Sequence, residues 1–298
     1  MKLAVLICCY NRKPTTLNCL HQLYQQRLPE DWQLDVHVLD DGSADGTYEA
    51  VAQQFPQVRL YRGTGSMYWN GAMRFLWQRV LPCRYDGYLW LNDDVALFPD
   101  ALLRLLCCYL EQPEQHNIGA LVGTVVEPGT DIPSYGGRCS ESRWHPLAFG
   151  PLLHPADYPR PCDFINGNLC FIPQHVVNEA GITDERYTHA LGDFDYGLRL
   201  KKTGFALLVA PGLFGECRSN SKTGSVFDRS LPLSRRRKML DNPACFVPVS
   251  QWLYFVRRHG GLVWPLLWFK GLLRKLFPYV WLLLRADTHK PNGSEKTD

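Results

Sequence analysis

The sequence predicts an α/β fold, a mainly parallel twisted sheet flanked by helices. Residues 3–9, 34–39, 58–61 and 87–91 are continuous apolar runs, the mark of strands buried on both faces rather than one. Stretches long enough for a helix separate them, which is the alternation of a parallel sheet with crossover connections. At 46% hydrophobic and 20% charged over 298 residues, the chain has the composition of a globular protein long enough for one large or two modest domains. Disorder is excluded as its main state.

The first run follows Met1-Lys2, lacks a small-residue cleavage site and gives way at once to polar Asn11-Arg12-Lys13, so it reads as a first strand and not as a signal peptide. A helix from about Thr15, after Pro14, sets Leu17, Leu20 and Leu23-Tyr24 on one face. After the second run, Asp41-Gly42-Ser43 turns the chain into a helix from about Thr47 to Phe55. The fourth run closes on Asn92-Asp93-Asp94, ahead of a helix start near Pro99-Asp100. Beyond about residue 110, Gly- and Pro-rich segments carry shorter apolar stretches at 119–126, 164–172 and 206–209, with a helix near 193–203. This half is expected to shape a cleft beside the first. Residues 251–285 differ again, with nine aromatics, six Lys and Arg and no Asp or Glu. There is no internal repeat, and 287–298 reads as a disordered tail.

A net charge of +3, from 32 Lys and Arg against 29 Asp and Glu, gives no reason to expect a nucleic-acid partner. Eleven cysteines, several inside apolar runs and none in C-x-x-C, read as buried reduced thiols of a cytoplasmic chain. No histidine spacing suits zinc, and the dinucleotide-binding, P-loop and nucleophile-elbow motifs are absent from the sequence.

Ligands of an α/β sheet bind at the carboxyl ends of its strands. Four segments there are of site-building type: Tyr10-Asn11-Arg12, Asp40-Asp41-Gly42-Ser43, Arg62-Gly63-Thr64-Gly65 and Asn92-Asp93-Asp94. Any one alone reads equally as a turn or cap; four at one edge point to a site. Asp93 and Asp94 offer oxygens to a hard divalent cation that would hold a diphosphate, or else they are turn residues ahead of a helix. Asp195 and Arg199 have the i, i+4 spacing of a helix ion pair. Asp193, at the same helix start, is either an N-cap or an oriented carboxylate able to act as a general base.

Taken in order, Cys8-Cys9-Tyr10-Asn11-Arg12, Val38-Leu39-Asp40-Asp41-Gly42-Ser43-Ala44-Asp45-Gly46-Thr47, Leu91-Asn92-Asp93-Asp94 and Gly192-Asp193-Phe194-Asp195 resemble the family 2 glycosyltransferases of the GT-A fold. The resemblance spans about residues 1–240, and Phe164-Ile165-Asn166-Gly167-Asn168 with Asn92-Asp93-Asp94 is most similar to bacterial rhamnosyltransferase-like members. It implies a nucleotide-sugar-binding half at 1–110 and an acceptor-binding half at 111–245, while the aromatic and basic composition of 251–285 sets off a helical, membrane-proximal extension at 246–298. It implies that Tyr10 and Asp41 hold the base, that Arg12, Asn70 and Asp93 join in nucleotide-sugar binding, and that Asp94 binds a divalent metal, Mg or Mn. Asp193 would be the base of an inverting transfer from a UDP- or dTDP-linked sugar to a saccharide or lipid-linked saccharide in cell-surface polysaccharide synthesis. Two departures stand out: Gly192 replaces the acidic residue that commonly precedes the base, and Gly215-Glu216-Cys217-Arg218 lacks the histidine that many members supply to the metal.

Competing readings are a sugar-phosphate nucleotidyltransferase, which would open with a Gly-rich loop where residues 8–13 have no glycine, and a saccharide-binding or membrane-scaffold protein that has lost chemistry. For residues 251–285, the apolar stretches at 260–269 and 276–284 are about half of the roughly 20 residues a spanning helix needs. Aromatic side chains with basic partners suit a segment lying in an anionic membrane surface, each basic group contributing about 1 kcal/mol. Peripheral attachment at the inner face of the cell membrane is therefore expected, with helices packed on the catalytic domain or a homodimer contact as the alternatives.

Overall fold

In the computed structural model, which describes residues 1–221 and 223–284, the four leading apolar runs are strands β1 (Lys2–Cys9), β2 (Gln33–Asp40), β3 (Arg59–Arg62) and β4 (Gly87–Leu91). They pair in parallel in the order β3-β2-β1-β4. Between and after them lie α1 (Lys13–Tyr24), α2 (Thr47–Gln54), α3 (Tyr68–Val80) and α4 (Ala101–Leu110). The predicted tail at 287–298 lies outside the described residues.

The next stretch adds β5 (Ala96–Leu97), β6 (Ile118–Val126), β7 (Pro133–Tyr135), β8 (Arg138–Ser140), β9 (Phe149–Leu152), β10 (Arg160–Pro161) and β11 (Leu169–Pro173). After these come α5 (Gln174–Ala180), α6 (Gly192–Lys202) and β12 (Ala206–Glu216). The sheet runs β10-β12-β6-β11-β4-β1-β2-β3, with β5 on β12 and β7 on β6, while β8 and β9 form a separate ladder. β11 is antiparallel to both β4 and β6 and so divides the parallel part in two. Two apolar stretches end differently from their expected bounds. Residues 164–168 form a loop before β11, and β12 continues past Val209 to Glu216 because bulges absorb the irregularity around Pro211-Gly212.

Alternation along the strands sorts the core onto the two faces. Leu3, Val5 and Ile7 of β1 with Leu89 and Leu91 of β4 pack against Leu20 and Leu23 of α1 and Leu102, Leu105 and Leu106 of α4. Ala4 and Leu6 with Tyr88 and Trp90 pack on the other side against Met73, Leu76 and Trp77 of α3 and Tyr196 and Leu200 of α6. All eleven cysteines are unpaired; Cys9, Cys19, Cys108, Cys162, Cys170 and Cys217 are buried, Cys83 is exposed and the other four are half-buried.

The chain divides into two compact units, Met1–Ser219 and a second that begins at Asn220, so the compositional boundary at 245/246 falls inside the second. That unit contains α7 (Leu233–Met239), α8 (Val249–His259), α9 (Trp264–Leu276) and α10 (Pro278–Leu284). Its small core joins Val226, Leu240 and Leu282. Two arginines are structural there. Arg236 is buried and donates to the carbonyls of Val226 and Leu282, and buried Arg274 donates to Val247 O while lying over the Phe246 ring. Among the described residues no helix is long and apolar enough to cross a membrane.

Candidate active site

The turns that end β1 and β2 are tied to each other by short side chains. Asn11, held at φ 51°, donates its N–H to Ser43 Oγ (2.8 Å) and accepts from Ala44 N–H (2.7 Å) on its Oδ1. Asp45 accepts from Lys13 N–H, and Asp40 accepts from Ser43 N–H (2.7 Å). This stitching leaves Tyr10 52% exposed at the strand end, with its ring face open for stacking.

Asp41 is buried, and its carboxylate gathers three backbone N–H groups: Gly65 at 2.8 Å, Met67 at 2.7 Å and Tyr68 at 3.0 Å. Its visible work is therefore to fold the β3–α3 loop over the end of β2, with one lone-pair direction left for an incoming N–H. A Cβ on Gly63 would lie 2.5 Å from Asp41 Oδ1, so a glycine is required at that crossing. Tyr68, at φ 54°, opens α3, and Thr188 O accepts from the N–H groups of Asn70 and Gly71 (3.0 and 3.3 Å) at the helix start.

Asn70 is fully buried, and its Nδ2 donates to Asp184 O (2.9 Å) and Tyr187 O (2.7 Å), which ties the start of α3 to the loop that leads to α6. Trp69, which sequence reasoning passed over, is the connector. Its Nε1 donates to Asn92 Oδ1 (2.9 Å) at the end of β4, and its ring covers Gly167 so closely that a Cβ there would collide with it.

Asp93 and Asp94 share one cation. Arg12 Nη1 lies 2.6 Å from Asp94 Oδ2 and 3.2 Å from Asp93 Oδ1, and Thr16 Oγ1 donates to Asp93 Oδ2 at 3.1 Å. Asp93 is buried, and that burial, together with the neighbouring Asp94 charge, raises its carboxyl to about 6 against the pull of Arg12. Asp94 faces a cleft of about 470 Å³ lined also by Arg12, Thr15, Glu216 and Arg218. Cys217, where the family's histidine was expected, donates its thiol to Asp94 Oδ1 (3.5 Å). Burial and the Asp94 charge push the Cys217 thiol well up, so it stays protonated. Among the described residues no three acidic, Cys or His side chains form a metal cage. Asp94 at the cleft nevertheless fits an ion of the Mg or Mn type, which is held by one or two carboxylates plus substrate phosphates, and such an ion would compete with Arg12 for Asp94.

Asp193 stands in the first turn of α6, after Leu191 at φ 72°. Phe194 N–H donates to its Oδ1 (2.8 Å) and Gly167 N–H to its Oδ2 (3.2 Å). Burial raises the carboxyl to about 6, opposed by those backbone bonds. Two hydrogen bonds, Trp69 to Asn92 and Gly167 to Asp193, with the Trp69 ring packed over Gly167 between them, thus run from the end of β4 to the start of α6. His189, also unforeseen, accepts from Trp69 N–H on Nδ1 (3.3 Å). Burial and nearby Arg12 lower it, which keeps it neutral at pH 7. Asp195 is wholly buried and committed: it bonds Arg199 Nε (3.0 Å) and Tyr187 Oη (3.2 Å), while Arg199 donates to the carbonyls of Ala180 and Ile182. The ion pair read from its spacing is a structural brace.

The family model described as Glycosyl transferase family 2 matches residues 4–161. An N-acetylglucosaminyl-diphospho-decaprenol L-rhamnosyltransferase of Mycobacterium tuberculosis is 27% identical over 199 residues, covering 60% of this chain and 64% of that protein; the match therefore spans under two thirds of the relative's length. Among solved structures, the mannosyltransferase PcManGT from Pyrobaculum calidifontis, in complex with GDP-Man and Mn2+, superposes with a TM-score of 0.56 at 17% identity over 95% of this chain and 72% of its own. S. aureus TarS 1-349 in complex with UDP gives 0.53 at 14% identity, covering 87% and 72%. At these identities the two structures bear on the fold alone, and the fold they share is GT-A.

Proposed function

Because the chain belongs to glycosyl transferase family 2, we propose that it moves a sugar from a UDP- or dTDP-linked donor to a saccharide or lipid-linked saccharide, with inversion at the anomeric carbon. The observation that carries this reading is Asp193, held by the Gly167 and Phe194 N–H groups, with Trp69 packed over Gly167 and bonded to Asn92 beside the Asp93-Asp94-Arg12 cluster. In the reaction the acceptor hydroxyl oxygen bonds to the anomeric carbon as the bond to the diphosphate breaks, and the hydroxyl proton passes to a carboxylate oxygen of Asp193. A carboxyl raised to about 6 is ionised at neutral pH yet basic enough to take that proton.

Residues 1–110 would bind the donor, with Tyr10 stacked on the base and Asp41 accepting its N–H while anchoring the loop above. Arg12 and Asp93 would serve the ribose-diphosphate, the guanidinium by charge-assisted bonds. A divalent ion at Asp94 would neutralise the departing diphosphate. Residues beyond 110 would shape the acceptor side. The likeness to a rhamnosyltransferase named for a lipid-diphosphate acceptor supports rhamnosyl transfer to a lipid-linked saccharide at the inner face of the cell membrane. Asp193→Asn is expected to retain the fold and nucleoside diphosphate affinity and to lose transfer by roughly 10²–10⁴-fold; transfer at the wild-type rate in that variant overturns the assignment.

A further inference from the structure

The charges of this chain are segregated in a way the net value hides. Residues 1–219 carry 18 Lys and Arg against 24 Asp and Glu, whereas residues 220–284 carry eleven against two, and no acidic residue occurs from 242 to 284. The basic unit also carries the longest exposed apolar surface among the described residues. Along α9, Leu267, Gly271 and Arg274 are buried, with Gly271 set against Trp252 and Leu253 of α8. Roughly a third of a turn round the same helix, Leu266, Phe269, Leu273 and Leu276 recur at intervals of three and four, with exposures of 56, 54, 38 and 58%, and Leu262 in the turn just before it is 89% exposed. Val280 (52%), Leu283 (61%) and Leu284 (71%) continue the exposed apolar surface on α10. Such a stripe normally faces a core; here the core has taken the other side of the helix. Lys270 and Lys275 are exposed beside it.

We propose that this stripe on α9 and α10 lies in the interface of an anionic lipid bilayer, its apolar side chains below the headgroups and Lys270 and Lys275 among them. The charge pattern selects this occupant over a second copy of the chain. A twofold contact sets the same patch against itself, and here it would bring Lys270 and Lys275 near their own counterparts with no carboxylate in 242–284 to pair them. An anionic headgroup layer supplies the missing charge, and α9 and α10 are of a length that lies in an interface rather than crosses it. Trp281 and Arg274, which composition alone assigns to the lipid, belong instead to the internal packing with Phe246. The inference takes from the proposed function only the membrane-side acceptor.

The full-length protein is tested by co-sedimentation with vesicles of phosphatidylcholine alone and with phosphatidylglycerol added, at low and at physiological salt, without donor or acceptor. Wild type is expected to partition onto the anionic vesicles about tenfold better than onto the neutral ones, and less so as salt rises. Phe269→Asp with Leu273→Asp, and separately Lys270→Glu with Lys275→Glu, should each reduce that partition about tenfold, with thermal unfolding unchanged. Should the first pair misfold, the lysine pair carries the test alone. Wild-type binding by either folded variant overturns the inference, as does no vesicle binding by wild type. A lipid-free dimer that the apolar substitutions convert to a monomer would make the stripe a self-contact and overturn it too. Asp193→Asn should bind vesicles as wild type does, so failure here and failure of the transferase assignment are read separately.

Discussion

Asn70 and Gly192 share one space. A Cβ built on Gly192 falls on Asn70 Oδ1, while the other end of the same amide holds the carbonyls of Asp184 and Tyr187. The absence of an acidic residue before Asp193, the proposed base, is thus matched by an asparagine reaching in from α3. Gly192→Ala is expected to destabilise by about 1–3 kcal/mol through overpacking. Added to Asn70→Ala it should cost at least about 0.5 kcal/mol less than the sum of the two single changes, measured by urea unfolding; strict additivity would separate the two residues. Asp193 gives a second expectation at this scale. As the proposed base it would act when ionised, so kcat/KM should rise with pH through an apparent pKa near 6. Asp93 is also raised to about 6, so the same limb is to be measured in Asp93→Asn, where it should persist if Asp193 carries it.

The loop between β3 and α3 depends on a single carboxylate. Removing Asp41 leaves the N–H groups of Gly65, Met67 and Tyr68 without their acceptor, and Asp41→Ala should cost about 1–3 kcal/mol and raise amide exchange across residues 65–70 before any nucleotide is added. Unchanged protection there would count against this role. The parallel strands were legible in the sequence because strands buried on both faces must be apolar throughout: β4 is entirely buried over the run read from composition. The site was legible as a list of strand ends and no further. Arg12 meets Asp93 and Asp94 across about eighty residues, and no local pattern encodes such a meeting. Trp69 and His189 went unread because they meet across 120 residues, a separation that no local spacing marks. The extent of β12 was hidden by Pro211-Gly212, which reads as a stop and is accommodated by bulges.

For the molecule as a whole, burial of Asp93 and Asp193 links stability to pH. Their folded values lie near 6 against about 3.9 in an unfolded chain, so the folded state binds the extra protons. The stabilisation from each is complete below about pH 4 and is lost as pH rises through 6. Melting temperatures taken from pH 4.5 to 6.5 should therefore show Asp193→Asn gaining on wild type as pH rises; a constant difference would contradict the buried carboxyl. The strand order has a further consequence, for synthesis on the ribosome. The set β3-β2-β1-β4 is complete once residue 91 has been made, but β11, which covers the free edge of β4, ends only at Pro173. At about 5–20 residues per second, a nascent chain therefore presents an unpaired, wholly apolar strand for roughly 4–16 s, an interval in which a chaperone, rather than any later strand, must guard that edge.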